Sequence, residues 1–368
     1  MNIQVKGDKK ITTLLHDWYK EIRCFNVEMA NQLKQESDKQ IKELNIGEQE
    51  KDDILLYHSL LNFRYQVLIN PLEITNKSFS NIEKFNIPKD PFLSYYYHFF
   101  KAIYSTILAD YTIANEEFEK AKSFLPEISD PIEQAEFEYR FSAFYYQNYQ
   151  LMFAIQHSSK AKEIFENDTG YEVNIALCDN VYGLACIDFR EFELAEEYLN
   201  KSLDLLQRKN EEKLALSVRH NLGWLYANQN LSSLAIRHIS EVTSKLPNHI
   251  RSLFVEAREQ LKMNEQDIAK DRIKKGLKIA IDLGNTEYKH RFSILNELIN
   301  EIDLAKLEKV TVDAISYFEN EKLWDCIQEY AELLAIKFYE KDNHSKASKY
   351  FYIGNKASKK SLEKGALK

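Results

Sequence analysis

The sequence predicts an all-α protein: an N-terminal three-helix bundle followed by an array of stacked helix pairs. Three observations predict it. A helix-pair pattern recurs about every 34–41 residues from roughly Tyr95 onward. Gly and Pro are scarce, at 9 and 6 of 368 residues, and no Pro follows Pro247, so few of the residues that turns demand are present. Aromatic residues are abundant, with 22 Tyr and 21 Phe, and these fill wide gaps between packed helices.

Residues 1–70 stand outside the repeat and read as three helices. The first covers about Ile11–Arg23, with Leu14, Leu15, Trp18 and Ile22 at helical spacing. The second covers about Val27–Leu44, with Met29, Leu33 and Ile41 on one face. The third covers about Gln49–Ile69 and is rich in Leu, with Gly47 marking the turn before it. Connections this short favour antiparallel packing. Residues 71–92 read as a linker. They contain Pro71, Pro88 and Pro91, a polar stretch at Thr75–Ser80, and one expected short helix at about Phe79–Phe85.

Residues 93–368 read as about six to seven repeats. The clearest copy runs Leu222-Gly223, Tyr226, Ala235, Pro247, and it meets the tetratricopeptide spacing at each position. Earlier copies centre on Ala114, Ala154 and Ala195, with Ala102, Ser142 and Gly183 twelve residues before them. Looser copies centre on Ala269 and Ala347, preceded by Ala257 and Ala335, and the stretch near Leu307 is degenerate. The spacing has a steric cause. The first helix (helix A) and second helix (helix B) of a unit cross closely, and only small side chains at the crossing allow it. One pair cannot bury its apolar face alone, so pairs stack into a right-handed superhelix with a concave groove. Such grooves bind extended peptides or helices.

The net charge of −8 argues against a broad phosphate-contacting face, so no direct nucleic-acid contact is expected. The four cysteines are scattered, and reduced, buried thiols suit a cytoplasmic protein. The opening MNIQVKGDKK lacks an apolar targeting core, and no stretch reaches eighteen apolar residues, so neither secretion nor membrane insertion is expected. There is no Gly-rich phosphate loop, and the nine histidines show no H-x-x-x-H spacing. Neither a metal nor a cofactor is expected.

Three runs carry a resemblance. They are His16-Asp17-Trp18-Tyr19-Lys20-Glu21-Ile22-Arg23 with Phe25, Leu56-Tyr57-His58-Ser59-Leu60-Leu61-Asn62-Phe63-Arg64, and Ala135-Glu136-Phe137-Glu138-Tyr139-Arg140-Phe141-Ser142. In these runs, and in its length and domain order, the chain resembles the Rap family of bacterial quorum-sensing regulators. The resemblance implies that the bundle and linker bind a bacterial response regulator. Some members remove the regulator's aspartyl phosphate, and others keep it off promoters that control competence or sporulation. It implies a short imported peptide pheromone in the repeat groove, which shifts a bistable assembly and releases the partner. It also implies a monomer or a peptide-dependent dimer. A related class carries an N-terminal DNA-binding helix-turn-helix. The net-acidic first seventy residues and the missing recognition-helix pattern speak against that class here.

In phosphatase members a glutamine five residues before the motif's Tyr orients the attacking water. The matching position here is Asp52, which lacks amide donors and brings negative charge towards an anionic phosphoryl group. Gln49 lies one turn earlier. Sequestration without catalysis is therefore expected. Groove residues follow from helix A positions: Asn180 and Asp188 in one copy, His220, Asn221 and Trp224 in another, Tyr139 and Tyr146 in a third, Arg251 and Arg258 in a fourth. Their amides, rings and charges suit an extended peptide backbone. By the resemblance, Asn221 clamps that backbone and Asp188 anchors a basic group.

Overall fold

In the computed structural model, residues 9–44, 47–299 and 303–365 are described. Among them are seventeen α-helices and no strand. The chain divides into two compact units, residues 1–185 and 186–368.

The N-terminal unit opens with α1 (Lys9–Arg23), α2 (Val27–Lys42) and α3 (Glu48–Ile69). Helix α1 buries Ile11, Leu15, Trp18, Tyr19 and Ile22, the spacing of one helical face. Helix α3 is buried nearly all round, from Ile54 to Phe63. Helix α2 departs from expectation: Met29 faces solvent, and the residues buried are Ala30 and Ser37. They are seven residues apart on one face, and their small side chains let α2 approach its neighbours.

The stretch between bundle and repeats also departs from expectation. No α-helix forms over 79–85; a 3-10 turn at Pro71–Glu73 is followed by consecutive turns over residues 76–84. The run Asn-Lys-Ser-Phe-Ser-Asn offers side chains that compete for backbone hydrogen bonds, and Ser78 Oγ accepts from the Thr75 N–H at 3.0 Å. Phe79 is nevertheless fully buried, stacked on Tyr104 at 5.2 Å and edge-on to Phe63 at 5.2 Å.

The repeat helices of this unit are α4 (Pro91–Ile107), α5 (Tyr111–Phe124), α6 (Pro131–Gln147), α7 (Leu151–Phe165) and α8 (Glu172–Asp188), the last running across the division at 185/186. Helices α4 and α6 start with the same device. Asp90 and Asp130 cap the first turn, accepting from Leu93 N–H at 3.1 Å and Ile132 N–H at 3.0 Å, and a Pro sits just inside each cap. The bundle packs directly on these helices. Tyr57 of α3 meets Phe92 and Tyr96 of α4, each at 5.6 Å, and Tyr19 of α1 meets Tyr96 at 5.4 Å.

The C-terminal unit contains α9 (Phe192–Arg208), α10 (Glu212–Asn228), α11 (Ser232–Lys245), α12 (Ile250–Lys262), α13 (Gln266–Asp282), α14 (Thr286–Ile299), α15 (Leu304–Asn320), α16 (Trp324–Tyr339) and α17 (His344–Gly365). The small residues that defined the pattern are buried where helices cross. Ala235, Ala257, Ala269 and Ala335 are all 0% exposed. At Gly223 a Cβ would lie 2.4 Å from Ile239 Cγ1, so any larger residue forces the Ile239 side chain or the helices to shift. The degenerate region is still helical. Phe292 of α14 is accommodated by Gly276 of α13, where a Cβ would stand 2.1 Å from the ring. Size is exchanged between neighbouring helices rather than held at one consensus position.

Candidate functional site

Helices α10, α12, α14 and α16 are the A-helices of the C-terminal unit, and their side chains interlock from one helix to the next. His220 of α10 contacts Ser252 of α12 through Nδ1 and Oγ at 2.9 Å. Four residues along α10, Trp224 lies under the Arg258 guanidinium of α12, 5.1 Å from the ring centroid. Phe254 of α12 meets Tyr288 of α14 edge-on at 5.8 Å. Arg291 of α14 donates to Cys326 Sγ of α16 at 2.8 Å and lies 5.4 Å from both the Phe254 and Tyr288 rings. Each contact joins residues about one repeat apart, so consecutive A-helices run side by side in parallel register. Arg258 also reaches past α14 to Glu329 of α16 at 3.2 Å.

The His220–Ser252 contact belongs to a triad. His249 Nδ1 lies 2.8 Å from Ser252 Oγ and also accepts from the Ser252 N–H at 3.3 Å, capping α12. That pattern makes His249 Nδ1 the acceptor, so His220 Nδ1 carries a proton and donates to Ser252 Oγ. Burial pushes His220 down to about 3, reinforced by His249 and Arg251, so both rings work as neutral hydrogen-bonding groups. Ser252 is fully buried in the first turn of α12 and ties two helices together.

Against this frame the residues expected to line the groove fall as follows. Asn221 and Trp224 are half-buried on α10, beside the His220 tie. Arg251 is exposed on α12, next to Ser252. Asp188 is exposed at the end of α8. Contacts bring Trp224, Arg258 and Phe254 together, and Arg251 acts electrostatically on His220. Tyr146, half-buried on α6, and Asn180, half-buried on α8, belong to the N-terminal unit. Tyr139, expected to face the groove, is buried with Arg140 over its ring at 5.0 Å.

A second site concerns the bundle. Asp52 is exposed in the second turn of α3, which begins at Glu48; the side chain of Gln49 lies outside the described residues. Glu48 and Glu50 are exposed in the first turn, where carboxylates favour the positive end of the helix dipole. An anionic phosphoryl group approaching this turn meets several negative charges and one lysine, Lys51.

Sequence reasoning missed a buried polar network that fastens the bundle to the repeats. Glu133 of α6 is 1% exposed and accepts from the hydroxyls of Tyr19 and Tyr95 at 3.1 and 3.0 Å. Arg23 of α1 pairs with Glu133 at 3.0 Å and Asp130 at 2.9 Å. Arg64 of α3, also 1% exposed, pairs with Glu136 at 2.8 Å, and Glu136 is shared with Arg140 at 2.8 Å. Burial pushes Glu133 up to about 7 against the opposing pull of Arg23. The bundle residues Tyr19, Arg23 and Arg64 lie 72 to 114 residues from their carboxylate partners, and no local spacing announces them. The one available signal was the placement of Arg and Glu inside otherwise apolar helical faces.

Among the described residues no group of three or more His, Cys, Asp or Glu side chains is arranged to hold a metal ion, and no helix is long and apolar enough to cross a membrane. Residues 5–70 match the family described as response regulator aspartate phosphatase H, N terminal. The chain is 28% identical over 371 residues to response regulator aspartate phosphatase I of Bacillus subtilis (strain 168), covering 97% of this chain and 92% of the relative. It is 24% identical over 371 residues to regulatory protein RapF of the same organism, covering 94% of each. A crystal structure of a Rap protein complexed with competence and sporulation factor superposes with a TM-score of 0.80 at 21% identity, covering 97% of this chain and 99% of that one. The first seventy residues thus match the N-terminal domain of a Rap-type family, and over nearly its whole length the chain is similar to Rap proteins.

Proposed function

We propose that this protein is a cytoplasmic quorum-sensing regulator that binds a bacterial response regulator and blocks its access to DNA. A short imported Phr-type peptide relieves the block. Residues 1–70 hold the response regulator, and the repeat region, residues 93–368, receives the peptide.

The observation that favours sequestration over catalysis is the character of the first two turns of α3. At the position where phosphatase members carry glutamine stands Asp52, exposed and accompanied by Glu48 and Glu50. In-line attack on an aspartyl phosphate needs a water oriented by hydrogen-bond donors and acceptors, with charge neutralised at the phosphoryl oxygens. A carboxylate accepts a proton but donates nothing and repels the phosphoryl group.

A second reading is an active aspartyl-phosphate phosphatase of the sporulation phosphorelay. The name of the 28% identical relative, response regulator aspartate phosphatase I, favours it. The two readings separate in one experiment. The purified protein is mixed with each phosphorylated response regulator of its host, and phosphate loss is followed alongside promoter-DNA binding. Sequestration gives unchanged phosphate loss and reduced DNA binding. Accelerated loss that vanishes in Gln49→Ala or Asp52→Ala establishes the phosphatase.

A further inference from the structure

Three arginines stand on the A-helix face of the C-terminal unit: Arg251 and Arg258 on α12, and Arg291 on α14. Two already hold a carboxylate. Arg258 binds Glu259 at 2.9 Å and Glu329 at 3.2 Å, and Arg291 pairs with Glu287 at 3.0 Å. Both are stacked on aromatic rings, and little of either side chain, 14% and 13%, meets solvent. Arg251 differs in each respect. It is exposed, and among the described residues it has no carboxylate partner. Its charge is nonetheless felt inside the face, where it helps hold His220 and His249 in their neutral forms.

The parallel register of α10 and α12 places this cation. His220 is level with Ser252, and Trp224 is level with Arg258. Arg251 precedes Ser252, so it stands within about one helical turn, about 5.4 Å, of the level of Asn221. A ligand whose backbone lies along the Asn221 amide therefore passes an uncompensated guanidinium. A guanidinium presents N–H donors in a planar fork that matches a carboxylate. The neighbouring Arg258 is the poorer candidate for that group, because its charge is already paired with Glu259 and Glu329 through Nε and Nη1.

We infer that Arg251 is a specificity residue that reads a carboxylate of the bound peptide, and that this carboxylate is the peptide's free C-terminus. The inference rests on the groove reading above and deepens it. Every unmodified peptide carries that group. In a peptide of a few residues it lies close to the backbone that Asn221 is proposed to hold. The His220–Ser252–His249 tie, with Ser252 fully buried at its centre, fixes α10 against α12, so amide and guanidinium keep their spacing without cost at binding.

The test uses the full chain and four equimolar pools of random pentapeptides. Two pools carry a free C-terminal acid and two a C-terminal amide; one of each kind contains Asp and Glu, and the other lacks them. Peptides retained by the protein are separated by size exclusion and identified by mass spectrometry. The native chain retains peptides from both free-acid pools and roughly tenfold to a hundredfold fewer from the acid-free amide pool, the range expected for one charged hydrogen-bonded contact. Arg251→Ala loses that preference, and Arg251→Lys restores part of it, with circular dichroism spectra unchanged. Retention from the amide pools of Asp- or Glu-containing peptides alone, at the level of the free-acid pools, overturns the C-terminal assignment in favour of a side-chain carboxylate. Equal retention from acid and acid-free amide pools, abolished by Asn221→Ala, overturns carboxylate reading and leaves the groove standing. No retention from any pool removes the groove reading and this inference with it.

Discussion

Glu133 sits where burial and charge pairing oppose one another, and burial prevails. Its ordinary value of 4.5 rises to about 7 in the folded chain. Between those values the folded protein holds a proton that the unfolded chain has released. Acidification from pH 7 towards 4.5 therefore stabilises the N-terminal unit, and that gain is lost as pH rises through 7. Glu117 and Glu138 act in a separate window. Against burial, hydrogen bonds from His98 and Lys120, and from His157 and Lys160, hold them below the usual range. Their contribution is lost only as pH falls below about 4.5. Melting curves from pH 8 to 5 should show Tm rising as pH falls, and Glu133→Gln, which keeps an acceptor for the Tyr19 and Tyr95 hydroxyls, should flatten the rise. An unaltered slope in that variant would show that another group titrates. None of this was legible beforehand. A lone Glu in Pro131-Ile132-Glu133-Gln134 looks like any first-turn carboxylate, and its partners arrive from helices that sequence alone does not juxtapose.

At the scale of elements the repeat grammar was legible, because it is a steric rule written locally. Ala102, Ala114, Ser142, Ala154 and Ala235 lie where the spacing placed them, all fully buried. Gly223→Ala should cost about 1–3 kcal/mol through overpacking against Ile239. Combining it with Ile239→Ala should cost less than the two single changes summed, as urea denaturation would report. Strict additivity would mean that the helices part freely there. The turns between helices A and B were less legible. They use left-handed residues other than glycine, among them Ala109 at φ 60° and Tyr149 at φ 58°. Glycine relieves the Cβ clash of that conformation, so Ala109→Gly should stabilise the N-terminal unit by roughly 1 kcal/mol. A drop in Tm for that variant would count against it. The absent helix at 79–85 follows from the same local competition: Asn, Ser and Thr side chains offered the backbone turns instead, while Phe79 and Ile82 secured burial.

For the whole molecule, architecture was readable and the wiring of the site was not. Helical periodicity and length named the bundle and the array. Position within helix A nominated Asn221, Trp224 and Arg251, but not which arginine would be left without a carboxylate, since Glu329 lies two A-helices away from Arg258. The proposed function makes a direct demand. Asn221→Ala and Asp188→Ala should each abolish the response to peptide while leaving response-regulator binding intact, a loss of about 2–5 kcal/mol for a desolvated contact. Isothermal titration with a pentapeptide retained from the random pools would measure it, and unchanged affinity in both variants would refute the assignment.

Repeat arrays are commonly treated as one-dimensional, each unit feeling only its immediate neighbours, so that they unzip from an end. The reach of Arg258 over α14 to Glu329 breaks that locality. A second-neighbour coupling turns three consecutive A-helices into a single mechanical block. The C-terminal half should resist end-fraying and lose its structure in one concerted step. Glu329→Gln should broaden that step, visible as a shallower denaturant dependence and as earlier hydrogen exchange in α16 and α17 than in α12.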